Sequence, residues 1–347
     1  MFFKKTVEYK NLFRLSLITV FLAFAVIALG AFTRLVDAGL GCPDWPGCYG
    51  HLLWPNQAHE IAEAEAKFPD APVELEKTWP EMVHRYLAGT LGLVILVILS
   101  VAIRLHRQDR QAPLKLPILL LAMVVLQAAF GMWTVTLKLW PQVVTAHLLG
   151  GFCTLSLLWL LAQRLGALHW RLAPQQNIRL RNLRPLLWLA LALVVVQIAL
   201  GGWVSANYAA LACPDLPLCF QQWLPPADFR AGFDLFQHIG PNYLGGQLDN
   251  EARTAIHLSH RLGALLVTLT ILLLGWRLWR LGSRQIQFWV LLLWGVLTVQ
   301  LGLGISNILL ALPLYVAVGH NAVGAVLLLT IISIVHHSYS ARIDTNR

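Results

Sequence analysis

Eight stretches of this 347-residue chain are long and apolar enough to require a bilayer. They fall at about 14–36, 82–104, 116–137, 142–163, 185–207, 255–277, 287–310 and 314–336, each near the roughly 20 apolar residues that cross a hydrocarbon core. Inside lipid every backbone amide must be bonded within its own helix or a closed barrel, so runs of this length are helices. Composition agrees: 57% of residues are hydrophobic and 12% charged, against about 25% charged in soluble domains. The chain is therefore read as an all-α membrane protein with eight transmembrane helices. Phe2 to Arg14 is basic, but the run behind it has no small-residue cleavage site. It reads as the first helix and not as a removable signal.

Charge sets the orientation. Lys4, Lys5, Lys10 and Arg14 precede segment one, and Arg104, Arg107, Arg110 and Lys115 lie between segments two and three. Arg164, Arg171, Arg179, Arg181 and Arg184 follow segment four, and Arg277, Arg280 and Arg284 follow segment six. If eight helices alternate, all of these share one side, which the positive-inside rule makes cytoplasmic, with both termini inside a bacterial inner membrane. The formal net charge of +9 is thus a topology signal, and nucleic-acid binding is set aside. The opposite side carries two long loops, about 37–81 and 208–254, and the first is acidic.

The two halves repeat. Cys42-Pro43-Asp44 to Cys48 answers Cys213-Pro214-Asp215 to Cys219, and His84-Arg85 answers His260-Arg261. Gln127 and Gly131 answer Gln300 and Gly304, and Thr145-Ala146-His147 answers Val318-Gly319-His320. Four helices per half make this a parallel repeat about an axis along the membrane normal. The expected architecture is two pseudo-symmetric four-helix bundles, residues 1–164 and 185–347, joined by a cytoplasmic linker at 165–184. The stretch from Leu53 to Trp79 has no counterpart and is assigned no chemistry.

The residues that carry chemistry follow this repeat. His84, His147, His260 and His320 occupy equivalent places near the outer ends of even-numbered segments. An ionisable group in a membrane helix is costly unless it faces the bundle interior or a partner. Two imidazoles on facing helices hold a haem iron from both faces, and neutral imidazole suits iron. A structural or proton-relay role is the competing reading. Zinc lacks its usual Cys/His spacing here, and residue type alone does not separate copper from iron. His257 stands where Glu81 stands in the first half, three residues before the aligned histidine. The repeat selects His260 as the ligand and leaves His257 as a neighbour, hydrogen-bond partner or proton carrier. Glu81 has no carboxylate counterpart, which suggests a reactive site beside Glu81 and an electron-transfer site around His260. The plainer alternative is that Glu81 is an exposed interfacial acid.

Each outer cysteine pair, Cys42/Cys48 and Cys213/Cys219, can close a small loop as a disulfide on the oxidising side. Cys213/Cys219 is read as structural, and a redox role for Cys42/Cys48 stays open. Cys153 stands alone in an apolar run and reads as a small buried hydrophobe. Arg85, Arg261 and Arg34 carry guanidinium forks suited to haem propionates, with lipid phosphate or helix-end carbonyls as the other partners. Trp45, Trp54, Trp79, Trp133, Trp140 and Trp203 lie near segment ends, where aromatic belts form.

Taken in order, Glu81-x-x-His84-Arg85, Thr145-Ala146-His147, His260-Arg261, Gly319-His320-Asn321 and the two outer cysteine pairs resemble the haem A synthase family over nearly the whole chain. The resemblance implies oxidation of a ring methyl of haem O to a formyl group, by successive hydroxylation and loss of water. It implies that His84 and His147 flank the haem O substrate with Glu81 assisting, and that His260 and His320 ligate a haem b cofactor, with Arg85 and Arg261 contributing to haem binding. Its partners would be a haem O synthase, cytochrome oxidase assembly factors and the lipid membrane, with room for a homo-oligomer. The rival functions are a quinol-linked haem b electron carrier, a membrane thiol oxidoreductase using Cys42/Cys48, and a transporter. Transporters usually carry interrupted helices at the midplane, whereas these ionisable residues sit near helix ends.

Overall fold

The computed structural model describes residues 2–166 and 169–344. In chain order its elements are α1 (Phe2–Leu35), α2 (Ala58–Lys67), α3 (Leu75–Gln108), α4 (Lys115–Thr136), α5 (Pro141–Gly166), β1 (Arg171–Leu172) and α6 (Pro174–Asn182), then α7 (Arg184–Ala206), α8 (Phe229–Gly232), α9 (Asn250–Trp279), α10 (Arg284–Leu309), α11 (Leu314–Ser340) and β2 (Arg342–Ile343). Among the described residues eight helices are long and apolar enough to cross a membrane; α2, α6 and α8 are not.

Helix ends differ from the hydropathy reading mainly outside the apolar core. α3 starts at Leu75 and α9 at Asn250, both earlier than the apolar runs. Polar turns extend a helix beyond lipid when their end groups are satisfied. Asp249 does this for α9, accepting from the Ala252 amide at 2.8 Å. Glu76 places an acid in the first turn of α3, where the helix dipole favours it. Glu81 and His84 therefore lie inside α3 and not at its mouth.

α1 packs on α3 and α5, and α4 closes a ring between α3 and α5. α7, α9, α10 and α11 close a second ring in the same order. The rings meet along α1–α11, α5–α7 and α5–α11. Exchanging α1, α3, α4 and α5 with α7, α9, α10 and α11 leaves this pattern of neighbours unchanged. The likeness reaches the backbone: the hairpin residues Lys138 and Leu139 (φ 49° and 60°) match Ala311 and Leu312 (φ 54° and 63°). The continuous apolar core, with Ile95, Ile98, Leu155, Leu158, Ile271, Leu274, Ile331 and Ile334 fully or almost fully buried, fills the inner part of both rings.

Residues 169–184 are more than a tether. β1 pairs in parallel with β2, Arg171 opposite Arg342, and Leu172 and Leu180 are buried in the core. Cys153 corrects its sequence reading, because it is exposed on the outside of α5. Lipid is as apolar as the core, so a thiol gains little by turning inward. Trp45, Trp79 and Trp133 are exposed as belt residues are. Trp203 is not; it is buried, and its Nε1–H donates to the Gly232 carbonyl at 2.8 Å.

Candidate haem sites

α3 and α5 stand across the first ring from each other, and α9 and α11 across the second. Each helix turns one histidine inward near the outer end. The His84 and His147 ring centroids are 6.4 Å apart with planes at 85°, and those of His260 and His320 are 6.5 Å apart at 75°. Two metal–imidazole bonds of about 2 Å each, plus the half-widths of two rings, sum to about 6 Å. The centroid spacing of each pair is close to that of two imidazoles sharing one metal ion. Among the described residues no cluster of three or more His, Cys, Asp or Glu is placed to hold a bare ion. Paired imidazoles leave the equatorial positions to a flat macrocycle, which is the haem arrangement.

Glycines set these rings in place. A Cβ added at Gly30, Gly131, Gly201 or Gly304 would stand 2.8, 3.5, 3.2 and 3.0 Å from the Cε1 of His84, His147, His260 and His320, respectively. Each imidazole thus lies edge-on against the backbone of the neighbouring helix, α1, α4, α7 or α10. Among the described residues the Nδ1 atoms of His147 and His320 are buried without a hydrogen-bond partner. In the second ring, Gln197 Nε2 donates to the His260 carbonyl at 2.9 Å and lies 3.1 Å from its Nδ1. Gln300 Nε2 lies 3.3 Å from His320 Nε2.

Above each pair sits a disulfide loop. Cys42–Cys48 and Cys213–Cys219 are both formed, with Cα atoms 4.8 and 4.9 Å apart. Asp44 closes the first loop by accepting from the Tyr49 and Gly50 amides at 2.6 and 2.8 Å. Asp215 closes the second by accepting from Phe220 and Gln221, both at 2.7 Å. These amides, led by that of Gln221, hold the Asp215 carboxyl below its ordinary range. Arg85 ties the first loop to α3, donating through Nη1 to the carbonyls of Asp44 at 2.9 Å, Pro46 at 3.3 Å and Gly47. Arg261 does the same in the second, donating to Leu218 and Cys213, both at 2.8 Å, and to Asp215 at 2.9 Å. Both guanidinium forks therefore hold carbonyls of the disulfide loops, a partner other than those weighed for them.

The halves part company one turn before the first histidine. Glu81 is 5% exposed; its Oε2 accepts from the Cys42 amide at 2.9 Å and its Oε1 pairs with Arg85 Nη2 at 2.5 Å. This burial is inconsistent with an exposed interfacial acid. His257 holds the corresponding place, buried, with Nδ1 2.9 Å from the Ala209 carbonyl. It anchors the loop, and His260 alone of the two faces His320 across the ring. The stretch without a counterpart also has a place. α2 and its flanks, through Ala64, Trp54 and Phe68, pack over Cys42, Cys48, Tyr49 and Met82. Tyr49 donates to the Pro72 carbonyl at 3.0 Å, and burial, reinforced by Glu74 and Glu81, pushes its phenol up to about 12.

Sequence reasoning missed Gly30, Gly201 and Gln197, and it noted Asp44 and Asp215 in the repeat without giving them the loop-closing role. Gly30 and Gly201 were accessible, because they are related by the same offset as the cysteines.

The model of a family described as cytochrome oxidase assembly protein (COX15-CtaA) matches residues 13–332. The chain is 46% identical over 330 residues to the heme A synthase of Shewanella oneidensis, covering 95% of this chain and 97% of that one. It is 32% identical over 336 residues to that of Nitrosospira multiformis, covering 91% and 90%. It is 25% identical over 313 residues to that of Halalkalibacterium halodurans, covering 89% and 91%.

Proposed function

This chain belongs to the COX15-CtaA family of cytochrome oxidase assembly proteins, and from that premise we propose how its two histidine pairs divide the work of haem A synthesis. It is a haem A synthase, a multi-pass membrane oxidoreductase that converts haem O to haem A. His84 and His147 take the substrate haem O, and His260 and His320 hold a haem b cofactor. The observation that carries this division is the buried carboxylate of Glu81, present beside the first pair and replaced by His257 beside the second. An iron porphyrin supplies redox and oxygen chemistry that no side chain can perform.

The chain's own residues place and polarise. The imidazoles fix the substrate ring between α3 and α5. Glu81, held between the Cys42 amide and Arg85 one turn before His84, is the acid that would accept a proton or stabilise positive charge developing on the oxidised carbon. Arg85 keeps the first disulfide loop closed over that site. Arg261 does so for the second, and its unpaired buried Nε–H is available to a haem propionate. Cys213–Cys219 is structural. The basic loops support a topology with both termini in the cytoplasm of a bacterial inner membrane. A haem O synthase is the class of partner that supplies the substrate.

Expression in a bacterium that makes haem O but not haem A, followed by chromatography of extracted haems with mass detection, tests the assignment. Haem A or its hydroxylated precursor appears only when the chain is present. Haem b alone, in a host shown to contain haem O, overturns it.

A further inference from the structure

At the end of the second ring that carries the basic loops, far from the histidine pairs, a cleft of about 440 Å³ opens between the first turns of α10, the end of α11 and the segment before β1. Its polar lining can donate. Trp170 is 4% exposed, yet among the described residues its Nε1–H is buried without a partner, and so is the Nδ1 of His169. Gln285 Oε1 already accepts from the Arg171 amide at 3.1 Å, which leaves its amide NH2 for the cleft. Arg284 is exposed at the first position of α10, and among the described residues it makes no ion pair. The N-terminus of a 26-residue helix adds unsatisfied backbone amides and the positive end of its dipole. Among the described residues no carboxylate lines the cleft. An acceptor-rich anion fits this set of donors.

The same seam continues as an apolar groove of about 360 Å³ between α10 and α11. Gln285, Phe288, Leu292, Gly295 and Val299 recur at helical spacing, so one face of α10 runs from cleft to groove. At about 1.5 Å per residue this face spans about 20 Å, more than the roughly 15 Å half-thickness of a hydrocarbon core. Gly295 opens the groove: a Cβ there would meet nothing within 4 Å. We propose that the seam binds one anionic phospholipid, its phosphate held by Trp170, Arg284 and the start of α10 and one acyl chain lying along the α10–α11 groove. Basic pockets between membrane helices on the leaflet facing the positive loops recognise such headgroups.

Native mass spectrometry of the full-length chain, titrated separately with phosphatidylglycerol, phosphatidylcholine and inorganic phosphate, tests this. Phosphatidylglycerol should be retained about five-fold more than phosphatidylcholine, and Arg284→Gln or Trp170→Phe should each lower its occupancy by about that factor. Trp170→Phe keeps the ring stacked on His337 and removes only the N–H. Gly295→Phe fills the groove and should displace the lipid while leaving thermal unfolding in lipid-free detergent unchanged. Equal retention of the two lipids, or occupancy indifferent to both headgroup variants, overturns the site. Competition by inorganic phosphate together with indifference to Gly295→Phe assigns the cleft to a soluble phosphate and overturns the lipid.

Discussion

Glu81 does its chemistry only if it is held still, and two contacts hold it. Arg85 and the Cys42 amide bind its two oxygens. Glu81→Gln keeps the shape and one acceptor but removes the charge. Haem should remain bound while haem A yield falls roughly 10²-fold, with haem O or its alcohol accumulating in extracts. Undiminished haem A would reduce Glu81 to a tether for the loop. The two neighbouring histidines of α9 separate in the same way. His260→Ala or His320→Ala should abolish the second-half haem absorbance. His257→Ala should keep that absorbance and lower stability by about 1–3 kcal/mol, because it strands the buried Ala209 carbonyl. Loss of the spectrum in His257→Ala would move the ligand to that residue.

Helices act on the site through what they leave out. Gly30 of α1 admits the His84 ring, and a methyl there would come within 2.8 Å of Cε1. At Gly131 the same methyl would stand 3.5 Å from His147, ordinary contact distance. Gly30→Ala should therefore push His84 aside, at about 1–3 kcal/mol of overpacking, and cut first-site haem binding measured by absorbance titration, whereas Gly131→Ala should behave as wild type. Equal effects would mean that helix propensity, and not ring placement, governs both. The disulfide loops offer a second contrast. Cys213→Ser should cost about 2 kcal/mol in thermal unfolding and spare conversion. Cys42→Ser should also lower haem A yield, because opening that loop loosens the backbone amide of residue 42 that donates to Glu81. Equal yields from the two variants would separate the loop from the chemistry. These contrasts mark what could be read from residues alone. Spans, histidine pairs and cysteine loops were legible because apolar length and an internal repeat are properties of the sequence itself. Helix ends beyond the lipid, the packing of α2 over a disulfide and the outward turn of Cys153 were not. They depend on caps and on neighbours distant in the chain.

The whole molecule is held together where equivalent residues of the two halves meet. Arg34 at the end of α1 donates to the carbonyl of Ser205, its own counterpart at the end of α7, at 2.7 Å. Tyr208 donates to Asp37, again its counterpart, at 2.8 Å, and its ring lies 4.1 Å under the Arg34 guanidinium. Burial raises the Tyr208 phenol above its ordinary value, so it stays a donor at any working pH. Arg34 also pairs with Asp37 at 3.4 Å. Residues lying on a true two-fold axis meet their own copies. Here the counterparts differ, arginine against serine and aspartate against tyrosine, so the joint favours the union of unlike halves. Tyr208→Phe should cost about 1 kcal/mol and Arg34→Ala about 1.5–3 kcal/mol in unfolding of the purified chain. Because both act through Asp37 and one ring contact, the double variant should fall short of the sum by at least about 0.5 kcal/mol. Strict additivity would show that the four groups do not act together, and the cohesion of the halves would then rest on the apolar seams α1–α11, α5–α7 and α5–α11 alone.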